Sequence, residues 1–185
     1  MGKKTKNCIF FLIGASGSGK TVVCDYLKKH CASKSVGADL AVHDIDEDGL
    51  PDFGRGHWRK YRIDELLGNA KRAIAERSSL ICGVILPHEV IESDLFEPEM
   101  RVYFILLDAS SQAISRRLSR RLESKYGKEK SEESARDNIK FSKKLRSQIS
   151  MQRNGFTVDT RNKSIKQVAE EVLAIVMRVL GSKAR

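Results

Sequence analysis

Gly14-Ala15-Ser16-Gly17-Ser18-Gly19-Lys20-Thr21 is the stretch on which the fold turns. Its spacing is G-x-x-x-x-G-K-[ST]. Glycines at these positions let the backbone curl until successive N–H groups point at one centre, which makes a concave anion site. A helix beginning at the lysine adds its own unpaired amides, and the positive end of its dipole, to the same point. Lys20 brings a mobile cation that reaches the β and γ phosphates, and the Thr21 hydroxyl is suited to ligate Mg²⁺. Together these residues read as a cradle for the phosphates of a nucleoside triphosphate.

The flanks supply the context that such a cradle needs. Residues 8–13 are a continuous apolar run and read as a buried strand. Residues 20–30 read as a helix with Val22, Val23, Tyr26 and Leu27 along one side. Further strands are expected at 40–45, at 80–86 as a central strand ended by Pro87, at 102–107 closed by Asp108, and at 156–159 after Gly155. Residues 46–57, punctuated by Gly49, Pro51, Gly54 and Gly56, read as a loop. Helices are expected at 58–77, through Tyr61, Leu66, Ala70, Ala73 and Ile74, and at 111–123. A second helix runs to about 153 after a polar, mobile segment at 124–134 that contains Gly127. Ser164, with Gln167 three residues on, is a capping box. It opens a last helix whose apolar stripe is Ile165, Val168, Ala169, Val172, Leu173, Val176 and Leu180. Strand-like runs that alternate with helical ones are the rhythm of an α/β protein with a mostly parallel sheet.

Composition narrows the setting. The chain has 185 residues, of which 41% are hydrophobic, enough for one domain with a proper core. No apolar run approaches the roughly 20 residues of a membrane span. The apolar run at 8–13 passes straight into the glycine-rich turn, so it reads as a strand and not as a signal peptide. Gly2 has no Ser or Thr at position 6, so the myristoylation pattern is not met. Cys8, Cys24, Cys31 and Cys82 form no Cys-x-x-Cys pair and read as buried free thiols of a reducing compartment, which points to the cytoplasm. The net charge of +10 attracts polyanions: nucleotides, phosphorylated metabolites or nucleic acid.

Two further groups carry chemistry. His43-Asp44-Ile45-Asp46 closes the second strand, and alternation puts Asp44 and Asp46 on one face with Ile45 opposite. Strand C-termini line the ligand crevice of a parallel sheet. One carboxylate there can hold hydrated Mg²⁺ while the other orients and deprotonates an acceptor hydroxyl. The strand at 80–86 ends without an aspartate, which strengthens the case that Asp44 or Asp46 serves the metal. The second group is Ser115-Arg116-Arg117-Leu118-Ser119-Arg120-Arg121. Arg117 and Arg121 share one helix face, Arg116 and Arg120 another, and arginines suit bidentate phosphate contact. Arg55, Arg59 and Arg62 are candidates for an anionic acceptor, and Trp58 reads as a core or rim residue.

With these residues in place, the chain resembles the nucleoside monophosphate kinase-like group of P-loop kinases, which includes adenylate, shikimate and gluconate kinases. The resemblance covers nearly the whole chain in order. It implies a three-layer α/β/α P-loop fold around a mostly parallel five-stranded sheet, one domain over residues 1–185, and a helical lid at about 116–146. It also implies use of ATP with Mg²⁺. Asp44 would face the metal, Asp46 the acceptor together with Arg55 and Arg59, and Arg117 and Arg121 the ATP, with Arg116 and Arg120 as register alternatives. Thr160, Arg161 and Asn162 would border the adenine. No Asn-Lys-x-Asp guanine motif is present, which leans toward ATP. The expected activity is transfer of the γ-phosphoryl group to a small hydroxylated or phosphorylated acceptor, by a monomer or homodimer. The alternatives are a polynucleotide 5′-hydroxyl kinase, supported by the basic balance and the Asp52-x-x-Arg55 spacing, and a nucleotide-dependent switch or binding module.

Overall fold

The computed structural model describes residues 7–31, 40–47 and 55–181, with the side chains of all but residues 31 and 55–57. In chain order the elements are β1 (Ile9–Ile13), α1 (Lys20–Cys31), β2 (Leu40–Asp44), α2 (Arg55–Ala73), β3 (Ser78–Gly83), α3 (Pro87–Ile91), β4 (Val102–Asp108), α4 (Ser111–Tyr126), α5 (Lys128–Ser150), β5 (Gly155–Asp159) and α6 (Ile165–Leu180). The five strands form one sheet in the order β2-β3-β1-β4-β5, and every pairing is parallel.

Alternation along β1 divides the core in two. Ile9, Phe11 and Ile13 point to the side covered by α2, α3 and α5, while Cys8, Phe10 and Leu12 point to the side covered by α1 and α6. The result is the three-layer α/β/α architecture. From β1 the chain moves outward to β2 and β3 and then crosses to β4 on the other side. β1 therefore stands at the reversal of strand order, where the carboxyl ends of parallel strands leave a crevice.

Four expectations are corrected. The strand expected at 80–86 is β3, Ser78–Gly83. It starts earlier because Ser78 is buried and its hydroxyl accepts the Cys8 amide at 3.1 Å. It stops at Gly83 because its partner β1 ends there, and Ile45 fills the space where a side chain on Gly83 would stand. Pro87, expected only to end a strand, begins the short helix α3, where its missing N–H costs nothing. The helix expected at 58–77 starts at Arg55 and ends at Ala73. The segment expected to be mobile, 124–134, is helical except for Gly127, whose φ of +83° turns α4 into α5. Its charges hid a helix: Lys and Glu favour helix on an exposed face, and the buried Ser131 and Ala135 need little space against α4.

A third, smaller apolar cluster joins this helical hairpin to the cradle: Ala15, Ala109, Ile114, Leu118 and Ala135. Three residues read as part of an apolar stripe face outward instead: Val22 and Ile165, each 47% exposed, and Tyr61, 59% exposed. The tryptophan is a core residue, with Trp58 packed on the α2 side of the sheet. Cys8, Cys24 and Cys82 are buried and free. Among the described residues no helix is long and apolar enough to cross a membrane. Residues 48–54, including Gly49, Pro51, Asp52 and Gly54, lie outside the described residues, as do the side chains of Cys31 and Arg55.

Candidate functional site: a crevice at the end of β1

The loop from Gly14 to Gly19 owes its shape to positions that exclude side chains. A Cβ on Gly14 would lie 2.5 Å from Ser18 Oγ and 3.0 Å from the Leu107 carbonyl oxygen. Gly17 and Gly19 take φ values of +83° and +103°. Inside the loop, the Ala15 carbonyl oxygen accepts from the Ser18 amide at 3.1 Å and from Lys20 Nζ at 2.9 Å. α1 begins at Lys20, so its first amides face the same concavity.

A crevice of about 420 Å³ opens beside this loop. Residues 16–21, Asp44 and Asp46 line it, together with Arg117, Arg121, Thr160 and Lys163. The tip of β2 explains the acidic wall. Asp44 ends the strand, and its Oδ1 accepts the Asp46 amide at 3.0 Å, so the chain turns and leaves both carboxylates at the opening. Ile45 is buried between them, as side-chain alternation requires. The arginine register is resolved as well. Arg117 Nη1 donates to the Gly17 carbonyl oxygen at 2.8 Å, and Arg121 lines the same crevice one helical turn on. Arg116 lines the neighbouring cavity, while Arg120 is exposed and lines neither.

Charges in the crevice perturb one another. Lys20 is only 8% exposed, and burial pulls its ammonium down from 10.5 to about 8, although Asp46 and Asp44 pull it the other way. The Asp46 carboxyl is raised, first by desolvation at the crevice wall and next by the Asp44 charge; Lys20, Arg59 and Arg62 oppose the rise. A carboxylate with raised proton affinity, at an opening beside a buried cation, can accept a proton from a hydroxyl.

The second cavity, about 700 Å³, lies between the start of α4 and the loop after β5. Ser110, Arg116, Arg117, Thr160, Arg161, Asn162 and Lys163 line it. Thr160 is tied to the end of β4 through its amide, which donates to the Asp108 carbonyl oxygen at 2.9 Å. Arg161 is engaged by Asp159, at 2.7 Å between Nη2 and Oδ2, and this pairing draws the Asp159 carboxyl down to about 2. Asn162 takes a left-handed φ of +54°.

Two α2 arginines, Arg59 and Arg62, are engaged by neighbouring carboxylates. Arg62 is buried and donates to Glu65 Oε2 at 2.7 Å and to the Ile45 carbonyl oxygen at 3.4 Å, so it supports the acidic turn from below. Arg59 lies 3.5 Å from Glu89 Oε1 and near enough to Asp46 to stabilise its charge. Arg55 opens α2.

Three features escape the sequence. Asn138 of α5 accepts the Ser16 amide at 2.9 Å, across 122 residues. Lys163 lines both cavities, and its only signal was adjacency to residues 160–162. Arg146 of α5 binds Asp108 Oδ1 at 2.7 Å and the Ala109 carbonyl oxygen at 3.1 Å, bracing the end of β4. Asn138 and Arg146 sit in a helix rich in polar residues, where neither spacing nor charge singles them out.

Among the described residues no cluster of three or more His, Cys, Asp or Glu side chains could hold a metal. The donor set at the crevice is a hydroxyl, Thr21, with one or two carboxylates, which fits a cation that keeps most of its ligands as water and phosphate oxygens.

Comparison with known proteins agrees with this geometry. Residues 11–138, more than half of the chain, match the family model described as an AAA domain. No curated protein sequence matches the chain. In fold, it is similar to a gluconokinase from Sinorhizobium meliloti 1021, with a TM-score of 0.59 and 16% identity over 97% of this chain and 96% of that one. It is similar also to a shikimate kinase from Aquifex aeolicus vf5, with a TM-score of 0.58 and 20% identity over 94% and 99%. A shikimate kinase from Acinetobacter baumannii in complex with shikimate gives a TM-score of 0.58 and 16% identity over 98% and 97%. Sheet order, cradle and helical hairpin are thus those of a P-loop protein with the nucleoside monophosphate kinase-like fold, and the chain belongs to the AAA domain family.

Proposed function

We propose that this protein is an ATP-dependent phosphotransferase that moves the γ-phosphoryl group of ATP to a small hydroxylated or phosphorylated acceptor. One observation carries the reading: Lys20, Thr21, Asp44, Asp46, Arg117 and Arg121, drawn from three separate parts of the chain, line a single crevice. The names of the proteins that share its fold, gluconokinase and shikimate kinase, support the reaction class and leave the acceptor open.

In this reading the loop amides and the first turn of α1 bind the triphosphate tail. Lys20 leaves the Ala15 carbonyl for phosphate oxygens, and Arg117 and Arg121 add positive charge from α4. Thr21 and Asp44 would hold Mg²⁺, which when bound screens phosphate charge. Asp46 orients the acceptor hydroxyl for in-line attack and takes its proton, with Arg59 beside it and Arg55 close in sequence. The nucleotide base occupies the larger cavity, bordered by Thr160, Arg161 and Asn162. The hairpin of α4 and α5 serves as the lid of one kinase domain. Catalysis is positioning and electrostatics. The buried free thiols fit a reducing cytoplasm.

The test is a screen of sugars, small acids, nucleosides, nucleotides and short oligonucleotides with labelled γ-phosphate. One acceptor should be labelled by the wild-type protein and not by a folded Lys20→Ala variant. Labelling by that variant at the wild-type rate sinks the mechanism. Labelling of oligonucleotides alone transfers the assignment to the polynucleotide reading, and slow hydrolysis independent of any acceptor transfers it to the switch.

A further inference from the structure

The Ala15–Ser16 peptide is clamped at both ends. Its carbonyl oxygen accepts from Lys20 Nζ at 2.9 Å and from the Ser18 amide at 3.1 Å. Its N–H donates to Asn138 Oδ1 at 2.9 Å. The Asn138 side chain is itself fixed, because its Nδ2 donates to the Ser134 carbonyl oxygen one turn earlier at 2.9 Å. That second bond settles which end of the amide faces Ser16. The helix behind it cannot slide freely. Ala135 packs with Ala15, Ile114 and Leu118, and Arg146 holds the end of β4. A peptide plane with one end free can rotate and carry its carbonyl off the lysine. With Asn138 in place that rotation breaks a bond on each side.

We propose that Asn138 is a positioning residue: by holding the Ser16 N–H it fixes the plane of the Ala15–Ser16 peptide, and through the Ala15 carbonyl it sets where the Lys20 ammonium waits for phosphate. This rests on the triphosphate-binding reading of the crevice. Asn138 touches no phosphate; it acts through the loop. A solvated position is excluded by the bond it makes, and a purely structural cap would stabilise the loop without addressing Lys20.

A double-mutant cycle separates these. Asn138→Leu is close to the same size and removes the accepting oxygen; Asn138→Asp keeps it. Mg-ATP affinity is measured by titration calorimetry for Asn138→Leu in the wild-type and Lys20→Ala backgrounds. The expected result is a loss of about tenfold, roughly 1.4 kcal/mol, in the wild-type background and less than twofold where Lys20 is absent. An equal loss in both backgrounds, or none in the first, overturns the proposal. The Ser16 amide gives a second readout: its hydrogen exchange should accelerate at least tenfold in Asn138→Leu and stay close to wild type in Asn138→Asp. Should Asn138→Leu not fold, the Asp variant decides, since a Ser16 amide left unprotected there also overturns the proposal. Wild-type protein that binds Mg-ATP and labels no acceptor removes the kinase reading and leaves this one standing. Wild-type protein that binds no Mg-ATP removes both.

Discussion

Lys20 carries its charge where burial opposes it, held near 8 instead of 10.5. Because the unfolded chain keeps the higher value, it binds more protons between those pH values. This group therefore makes the nucleotide-free fold more stable as pH rises from 8 toward 10.5. Phosphate reverses the preference, since a bound polyanion restores the ammonium. Mg-ATP affinity should fall as pH climbs past about 8, by up to tenfold per unit, with proton uptake visible when calorimetry is repeated in buffers of different ionisation enthalpy. Constant affinity from pH 7.5 to 9.5 would contradict this. Asp46 has the opposite asymmetry. Its folded proton affinity is raised, so its contribution to stability declines as pH rises through the carboxylate range. Asp46→Asn removes that burden together with the proposed base. It should leave the melting temperature equal or slightly higher while cutting kcat by about 10²–10⁴. A large drop in melting temperature would instead make Asp46 structural. Both residues were legible in the sequence because each sits at a forced position, the lysine by motif and the aspartate by the alternation at the end of a strand. Asn138 was not, because one amide in a polar helix gives no sign of the loop it meets.

At the level of elements the hairpin of α4 and α5 divides in two. Its base is fastened by Leu118 against Gly17, by Asn138 on Ser16 and by Arg146 on Asp108, whereas a side chain on Gly127 at its tip would meet nothing within 4 Å. A lid with a fastened base can move only beyond that fastening. Amides of residues 122–134 should therefore exchange faster than those of 138–150, and saturating Mg-ATP should slow the first group more. Uniform protection along α5 would argue against any lid. Leaving 124–134 outside the two helices failed here for a physical reason. The segment lacks an apolar period because its one buried position is a small polar residue, Ser131, in a helix packed against a neighbour that a sequence does not display. The strand at 80–86 was misplaced by the same blindness. Ile85 and Leu86 are apolar for the core and Val84 lines the crevice, while the ladder itself ran back to two serines.

Across the whole molecule stability rests on β1, buried on both faces and paired on both edges. Phe11 is fully buried and stacks on Phe104 at 5.7 Å between ring centroids. Phe11→Ala should cost about 3–5 kcal/mol, a large part of the ~5–15 kcal/mol that holds a typical domain. Urea unfolding measures it, and a loss under about 1 kcal/mol would mean that the centre of the sheet is less tightly packed than described. The strand order was the part of the fold least visible in the sequence, since alternation names strands but not neighbours. It has a consequence in time. Ile9 lies opposite Ser79 on one side and Val102 on the other, so β1 leaves the ribosome well before either of the two strands it pairs with. Until then five consecutive apolar residues stand unshielded, and the growing chain depends on chaperones, or on speed, to keep Ile9–Ile13 from meeting the same segment of another copy.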